Sequence, residues 1–107
     1  MRLPPRRRAA EIGTRIQDGL QPLLATTVLS DIRGRGLMIG LDLSHLGEGR
    51  PPFSEEEAAQ ARALCADAGL LVYHHRAGLS LYPALTISEE EVDDMIDILT
   101  SVISLLA

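Results

Sequence analysis

The 107-residue sequence contains no lysine, and all ten of its basic residues are arginine. Without lysine, the chain cannot form a lysine Schiff base or build a phosphate-binding loop that depends on lysine. It also lacks tryptophan and has only three aromatic residues, Phe53, Tyr73 and Tyr82. Aliphatic side chains must therefore build the core, and a surface that stacks on single-stranded nucleic acid is disfavoured.

Cysteine and long apolar runs are scarce as well. The lone cysteine, Cys65, cannot form a disulfide within the chain and falls in a helical pattern as a small apolar residue. No apolar stretch approaches the roughly 18 residues of a membrane-spanning helix. The N-terminal arginines are not followed by the apolar run of a secretory signal. We therefore expect a cytoplasmic protein without a membrane partner.

The composition is that of a globular protein. Hydrophobic residues make up 46% and charged residues 23% of the chain, which argues against disorder. The length suits one modest hydrophobic core. We expect a single domain over residues 1–107.

The net charge of -5 is unevenly distributed. Residues 1–35 carry seven arginines against three acids, whereas residues 36–107 carry three arginines against twelve acids. The only cationic cluster is Arg6, Arg7 and Arg8. We interpret it as a solvated segment leading into a helix, and not as a nucleic-acid-binding surface.

Apolar spacing predicts a first helix from about Arg7 to Ala25, with Pro22 expected to kink it or end it early. Gly13 and Gly19 weaken this helical pattern.

Two capping boxes predict the start of two further helices. Ser54 and Glu57 form the first box, and Gly69 supplies the left-handed end of that helix. Ser88 and Glu91 form the second box, after which apolar residues recur at intervals of three and four to the end of the chain. The acidic triplets at both sites are explained by capping and by the helix dipole, and not by paired catalytic acids.

Two strand-like segments precede the second helix. Residues 26–32 are rich in β-branched side chains, residues 33–36 interrupt them, and residues 37–43 resume as an apolar strand. One long bent strand and a tight hairpin are both compatible with this pattern. Residues 44–53 form a loop by composition.

Two more strands precede the third helix. Residues 70–74 read as a strand, residues 76–78 as a turn and residues 79–82 as its antiparallel return, which Pro83 ends because it has no N–H to donate. The element order predicts an α+β fold with a small, mostly antiparallel sheet covered by helices.

Several combinations of reactive residues have the composition of known active sites but lack the structural context that such sites require. His74 and His75 should point to opposite faces of a strand, so they do not predict a metal site. A hydrolase triad uses the residue types found at Asp42, Ser44 and His45, but residues so close together at a strand end rarely converge in one.

The Gly34-Arg35-Gly36 sequence lacks the third glycine of a dinucleotide-binding fingerprint, and a strand follows it where a helix is required. Residue by residue, the chain contains no complete active site.

The order of residues is more informative than their types. Residues 31–43 closely resemble the Arg-Gly-x-Gly-Leu-Met-x-Gly segment of class III aminotransferases, the pyridoxal-phosphate enzymes of the ornithine, γ-aminobutyrate and ω-amino-acid group. Residues 69–72 and 79–91 resemble the closing segment of the same family, where a strand ends in a proline-containing turn before a capped acidic helix. The resemblance covers about residues 7–106.

The resemblance implies the C-terminal small domain of these enzymes, whose fold is that of the fold-type I pyridoxal-phosphate transferases. In the family the lysine and most of the cofactor site belong to a large domain that is absent from this chain. The implied partners are that domain, a second subunit of a homodimer, and an amino acid or amine substrate. We expect the domain to help close the substrate site but to be inactive and free of cofactor when alone.

Five residues match structural motifs of the family. Arg33, Gly34 and Gly36 match a strand-and-bulge motif that mainly sets backbone geometry. Pro83 and Leu85 match a turn near the substrate entrance. The resemblance makes none of them a cofactor ligand.

Ser80 matches a substrate-facing position where many members carry an arginine that clamps a carboxylate. A serine side chain cannot make this bidentate contact. The parent enzyme should then either favour amines or ω-amino substrates, or take its carboxylate contact from another residue, for which Arg76 is the nearby candidate.

The alternative function is a free-standing α+β interaction or small-ligand regulatory module that performs no chemistry. The two hypotheses differ physically, because a small domain cut from a larger protein should expose an apolar patch where its partner belonged.

Overall fold

The computed structural model describes residues 5–24 and 26–106, and this part of the chain forms an α+β fold. The elements are α1 Pro5–Leu20, β1 Leu29–Arg35, β2 Met38–Leu43, α2 Glu55–Asp67, β3 Tyr73–His75, β4 Gly78–Leu81 and α3 Glu89–Leu105. This order and this class confirm the prediction.

The four strands form one antiparallel sheet in the order β1-β2-β4-β3. Side chains alternate along β2, where Ile39, Leu41 and Leu43 are buried, and the inward residues Leu79 and Leu81 of β4 continue the same face. The three helices cover this inner face and complete the core. We call the opposite side the open face.

The segment of residues 31–43 is a hairpin, which settles the alternative left open by the sequence. Arg33 and Gly34 belong to β1 and pair with Gly40 and Ile39 of β2. The expectation that residues 33–36 interrupt the strand was therefore wrong. The turn lies at Gly36, whose φ of +58° is the left-handed conformation that favours glycine. The sheet's register shift falls between Leu29 and Asp31, away from these glycines.

The first strand begins three residues later than predicted, at Leu29. The hydroxyl of Thr27 donates to the Leu23 carbonyl at 2.7 Å and accepts from the Leu29 N–H at 3.1 Å. These local hydrogen bonds form a turn where the strand is predicted to begin. Threonine side chains can compete in this way with the hydrogen bonds between strands.

The third strand is also shorter than predicted, running from Tyr73 to His75, while Gly78 joins β4 and Tyr82 lies beyond it. The cause is the end of α2. Gly69 adopts a φ of +97°, and the Leu70 N–H donates to the Cys65 carbonyl at 2.8 Å, so the chain is still closing the helix where the strand was expected to begin.

The helix ends follow the sequence signals. α1 stops at Leu20, and Pro22 sits in a single 3₁₀ turn, Gln21–Leu23. This confirms an early end; Ala25, the predicted last residue, lies outside the described residues. Both capping boxes are present, at Ser54–Glu57 and at Ser88–Glu91.

Close contact between α1 and the hairpin makes Gly13 sensitive to substitution. A Cβ on Gly13 would overlap the carbonyl oxygen of Gly36, which is a backbone atom and not the end of a flexible side chain. We expect Gly13→Ala to lower the free energy of unfolding by about 1–3 kcal/mol. Gly40→Ala is the matched control, because its Cβ would meet only the Arg33 carbonyl oxygen at 3.8 Å. Urea unfolding checks both variants, and equal stability of the two would contradict this packing.

The α3 capping box predicts a specific acid sensitivity. The Ser88 backbone N–H and then its hydroxyl favour the Glu91 carboxylate, which lowers the pKa of Glu91 from its ordinary value of 4.5. A lowered folded-state pKa stabilises the fold above the unfolded value, and this stabilisation is lost as the pH falls through the folded value. Glu91→Gln should therefore lose less stability than the parent between about pH 7 and pH 3.

Glu90→Gln is the control for this experiment, because Glu90 takes no part in the capping box. Chemical unfolding at the two pH values provides the measurement. An acid-induced loss that is identical in Glu91→Gln and the parent protein would contradict the role assigned to this carboxylate.

Candidate functional site

The open face presents a polar centre within an aromatic border. Across the sheet, Ser80 of β4 pairs with Gly40 of β2 on one side and with Tyr73 of β3 on the other, and Arg33 of β1 pairs with Gly40. Because cross-strand partners lie on the same face, these residues form one row. Gly40 carries no side chain, so the Ser80 hydroxyl has open space beside it.

One depression on this face, the Ser80 groove, is lined by Tyr73, His74, His75, Ser80 and Tyr82 and has a volume of about 350 Å³. The rings of Tyr73 and Tyr82 meet edge to face, with centroids 5.7 Å apart. Both rings are exposed, at 61% and 58%. The groove therefore offers one hydroxyl next to an aromatic wall.

A second depression, the Arg76 depression, adjoins the first at His75 and has a volume of about 360 Å³. Its wall includes Arg33, whose Nη2 donates to Asp42 Oδ1 at 2.6 Å, as well as Arg76. This depression is more polar than the Ser80 groove, and guanidinium groups dominate its charge.

Arg76 lies in the two-residue turn between β3 and β4 with a φ of +51°, in the left-handed region that favours glycine. Among residues 5–24 and 26–106, no side chain forms a hydrogen bond or an ion pair with its guanidinium. The two predicted substrate-facing residues, Ser80 and Arg76, thus lie in adjoining depressions and not in a single one.

The two adjacent histidines point to opposite sides, as predicted. His74 faces α2, where its ring nitrogens lie 3.4 Å from Arg62 Nη1 and 3.9 Å from a Glu55 oxygen. His75 lines both depressions of the open face, whereas His74 borders only the Ser80 groove.

The hydrolase combination also separates in the structure. The Ser44 hydroxyl donates to the Ser30 hydroxyl at 3.0 Å, whereas His45 Nε2 lies 3.0 Å from Glu57 Oε1. Asp42 is paired with Arg33. The three residues therefore have three different partners, and no nucleophile–base contact forms among them.

Within residues 5–24 and 26–106, no group of three or more histidine, cysteine, aspartate or glutamate side chains converges as metal ligands would. No helix in this part of the chain combines the length and apolar character that crossing a bilayer requires.

The turn after β4 is anchored by a residue that the sequence pattern had assigned to solvent. Arg8, in the first turns of α1, donates from Nε to the Leu85 carbonyl and from Nη2 to the Ile87 carbonyl, both at 2.6 Å. Pro83 is buried at the start of this turn and Leu85 is exposed. Leu85 and Ile87 lie 77 and 79 residues from Arg8 in the sequence, so no local pattern predicts their contact with it. The sequence predicts only the Pro83–Leu85 turn itself.

Within the same arginine cluster, Arg7 pairs with Glu11 at 3.6 Å. Two of the three arginines in this cluster therefore have partners within the described residues, Arg8 on main-chain carbonyls and Arg7 on an acid.

The solved structures that this chain resembles include transaminases. The chain superimposes on an amine transaminase from an uncultivated Pseudomonas species with a TM-score of 0.83 and 29% identity, covering 94% of this chain and 23% of that one. An (S)-enantioselective omega-transaminase from Thermomicrobium roseum gives a TM-score of 0.81 at 25% identity, with the same coverage.

Curated relatives agree with the solved structures. An ornithine aminotransferase from an Exiguobacterium species is 32% identical over 97 residues, which are 91% of this chain and 22% of that protein. A vanillin aminotransferase from Capsicum annuum is 30% identical over 90 residues, which are 82% of this chain and 20% of that protein. The chain thus spans about a fifth of the length of these relatives.

The family profile described as "Aminotransferase class-III" matches residues 5–103, nearly the whole chain. Together with the hairpin, the turn and the capped helix in their predicted order, this match establishes that the chain belongs to the class III aminotransferase family.

Proposed function

We propose that this chain serves as the C-terminal domain of a pyridoxal-phosphate-dependent class III aminotransferase. In this role its open face packs on the large domain, helps to close the substrate site and contributes to a homodimer. The observation that carries the proposal is the uncovered face of the sheet, with its exposed apolar side chains and its two depressions.

The exposed side chains on this face are unusual for a sheet that meets water. An antiparallel sheet with one solvated face normally carries polar residues there. Here Met38, Tyr73 and Tyr82 are each more than half exposed. Three large exposed side chains of this kind on one sheet face support an interaction surface there. A large domain is the fitting occupant because relatives of this chain are about five times as long.

The residues present do not fit the attachment of the cofactor, on which the family generally depends. Pyridoxal phosphate joins its enzyme through a lysine amine and then serves as an electron sink for the substrate carbanion. This chain has no lysine. Its one thiol, Cys65, is buried, which raises its pKa to about 11 and keeps it protonated. Attachment of the cofactor therefore belongs to the proposed large domain, while Ser80 and Arg76 of this chain face the substrate.

We also propose a cytoplasmic location. The buried, unpaired Cys65 suits a reducing compartment, because a protonated thiol enclosed in the core needs no oxidised partner.

The proposed function predicts that the purified chain is catalytically silent. With added pyridoxal phosphate, an amine donor and an oxo acid, it should produce no amino acid above the buffer rate, because no side chain can hold the cofactor as a Schiff base. Mass spectrometry after borohydride reduction should find no cofactor adduct on any side chain. Turnover by the chain alone, or such an adduct, would refute the proposal.

The proposed docking of the open face on the large domain gives another prediction. In a class III ornithine aminotransferase whose matching segment is replaced by this chain, Tyr73→Asp combined with Tyr82→Asp should cut transaminase activity at least ten-fold, because two charges would be buried at the domain contact. Leu105→Asp is the control, since Leu105 is 79% exposed at the end of α3 and away from the open face.

Circular dichroism and sedimentation of the separate chain provide the matching physical test. The charged double variant should keep its helix content and self-associate less than the parent chain. An unaltered, highly stable monomer in both proteins, with equal activity in both chimeras, would favour the free-standing module instead.

A further inference from the structure

We propose that Arg8 is a positioning residue for the open face. By holding the turn between β4 and α3, it keeps the ring of Tyr82 against the ring of Tyr73 and so sets the wall of the Ser80 groove. That this groove serves a substrate rests on the proposed function. The control of its shape by Arg8 is a property of this chain and is testable without the large domain.

Two carbonyls of the turn depend on Arg8. Its Nε donates to the Leu85 carbonyl and its Nη2 to the Ile87 carbonyl, both at 2.6 Å. Within residues 5–24 and 26–106, these carbonyls accept a hydrogen bond from no other group. Hydrogen bonds from a charged guanidinium are roughly twice as strong as neutral ones. The Arg8 fork is therefore a specific tie between the start of α1 and the turn.

Tyr82 lies between two fixed points of the backbone. Leu81 before it is the last residue of β4, and the carbonyl of Leu85 after it is held by Arg8. Only two residues separate Tyr82 from Leu85, and the ring of one of them, Pro83, restricts its own φ. A displacement at the Leu85 carbonyl is consequently transmitted to the backbone of Tyr82.

The core does not enclose the Tyr82 ring, which is more than half exposed. Its ring partner is Tyr73, also more than half exposed, with an angle of 71° between the two planes. Edge-to-face contact needs the two rings at a defined separation and angle. The shape of the groove that both rings line therefore depends on where the backbone holds Tyr82.

The neighbouring Arg7 has the same charge but a different target. It reaches Glu11 of the same helix at 3.6 Å, and exposed pairs of this kind contribute little to stability. Arg8 instead reaches a segment 77 residues away in the sequence. Loss of the Arg7 side chain leaves the turn untouched, so Arg7→Gln is the matched control for Arg8→Gln.

Near-ultraviolet circular dichroism of the chain tests the effect on the two rings. The sequence lacks tryptophan and contains no tyrosine besides Tyr73 and Tyr82, so the tyrosine band reports this pair alone. Arg8→Gln should weaken the band about two-fold or more, because a neutral, shorter side chain cannot hold both carbonyls and the rings separate. The far-ultraviolet spectrum should stay unchanged. Arg7→Gln should match the parent chain in both spectra.

Arg8→Lys keeps the charge but not the planar fork, so it should retain a folded chain with a band weaker than that of the parent. Cross-peaks between the two tyrosine rings in NMR spectra should follow the same order, strongest in the parent and absent in Arg8→Gln. An undiminished tyrosine band in folded Arg8→Gln would overturn the inference. If Arg8→Gln does not fold, an undiminished band in folded Arg8→Lys would overturn it.

The ornithine aminotransferase chimera tests the consequence for the substrate. Arg8→Gln should raise the KM for the amino donor about three-fold or more and leave kcat nearly unchanged, because a misplaced wall weakens substrate positioning. A merely structural role would lower kcat at constant KM, since only the fraction of folded enzyme would fall, and this result would overturn the inference. An inactive parent chimera would refute the proposed function instead, and the tyrosine band of the chain would still decide the role of Arg8.

Discussion

The packing of three helices onto a single face of the sheet determines what the other face can do. Ile39, Leu41 and Leu43 turn inward along β2, so the intervening positions must turn outward together. The core is closed by aliphatic side chains from α1, α2 and α3 on one side only. The outward positions of the strands, among them Ser80 and Tyr73, therefore form the open face, and the register of the sheet sets which side chains are neighbours there.

Close backbone contact keeps this arrangement rigid. Gly13 of α1 lies directly against the turn of the β1–β2 hairpin, and Gly34 approaches the side chain of Gln17. Nearer the start of α1, Arg8 donates to the carbonyls that follow β4. One helix therefore supports both the hairpin that carries Arg33 and the turn that follows Ser80. Sites supported on such elements keep their geometry better than sites on free loops.

Local signals in the sequence predicted the helices and the class of the fold, because capping boxes, a terminal glycine and apolar periodicity act within a few residues. Strand limits were less accurate, since Thr27 and Leu70 make short-range bonds that compete with the ladder. The family resemblance predicts Ser80 as a substrate-facing residue and proximity in sequence suggests Arg76, but their separation into adjoining depressions depends on the pairing of β3 with β4. The Arg8 contact joins residues far apart in the chain, and no local pattern contains it.

All ten basic side chains of this chain are guanidinium groups, whose chemistry differs from that of the missing lysine amine. A lysine pKa shifts readily on burial, which suits covalent and acid–base chemistry, whereas a guanidinium stays charged and offers a planar fork. A chain whose cations are all arginine can recognise and position anions, but it has no side-chain amine for carbonyl chemistry. Arg8 uses its fork on main-chain carbonyls and Arg33 on Asp42, so both serve the structure of the domain. Schiff-base chemistry therefore needs a lysine from outside this chain, which is the division of labour that the proposed function assigns to the two domains.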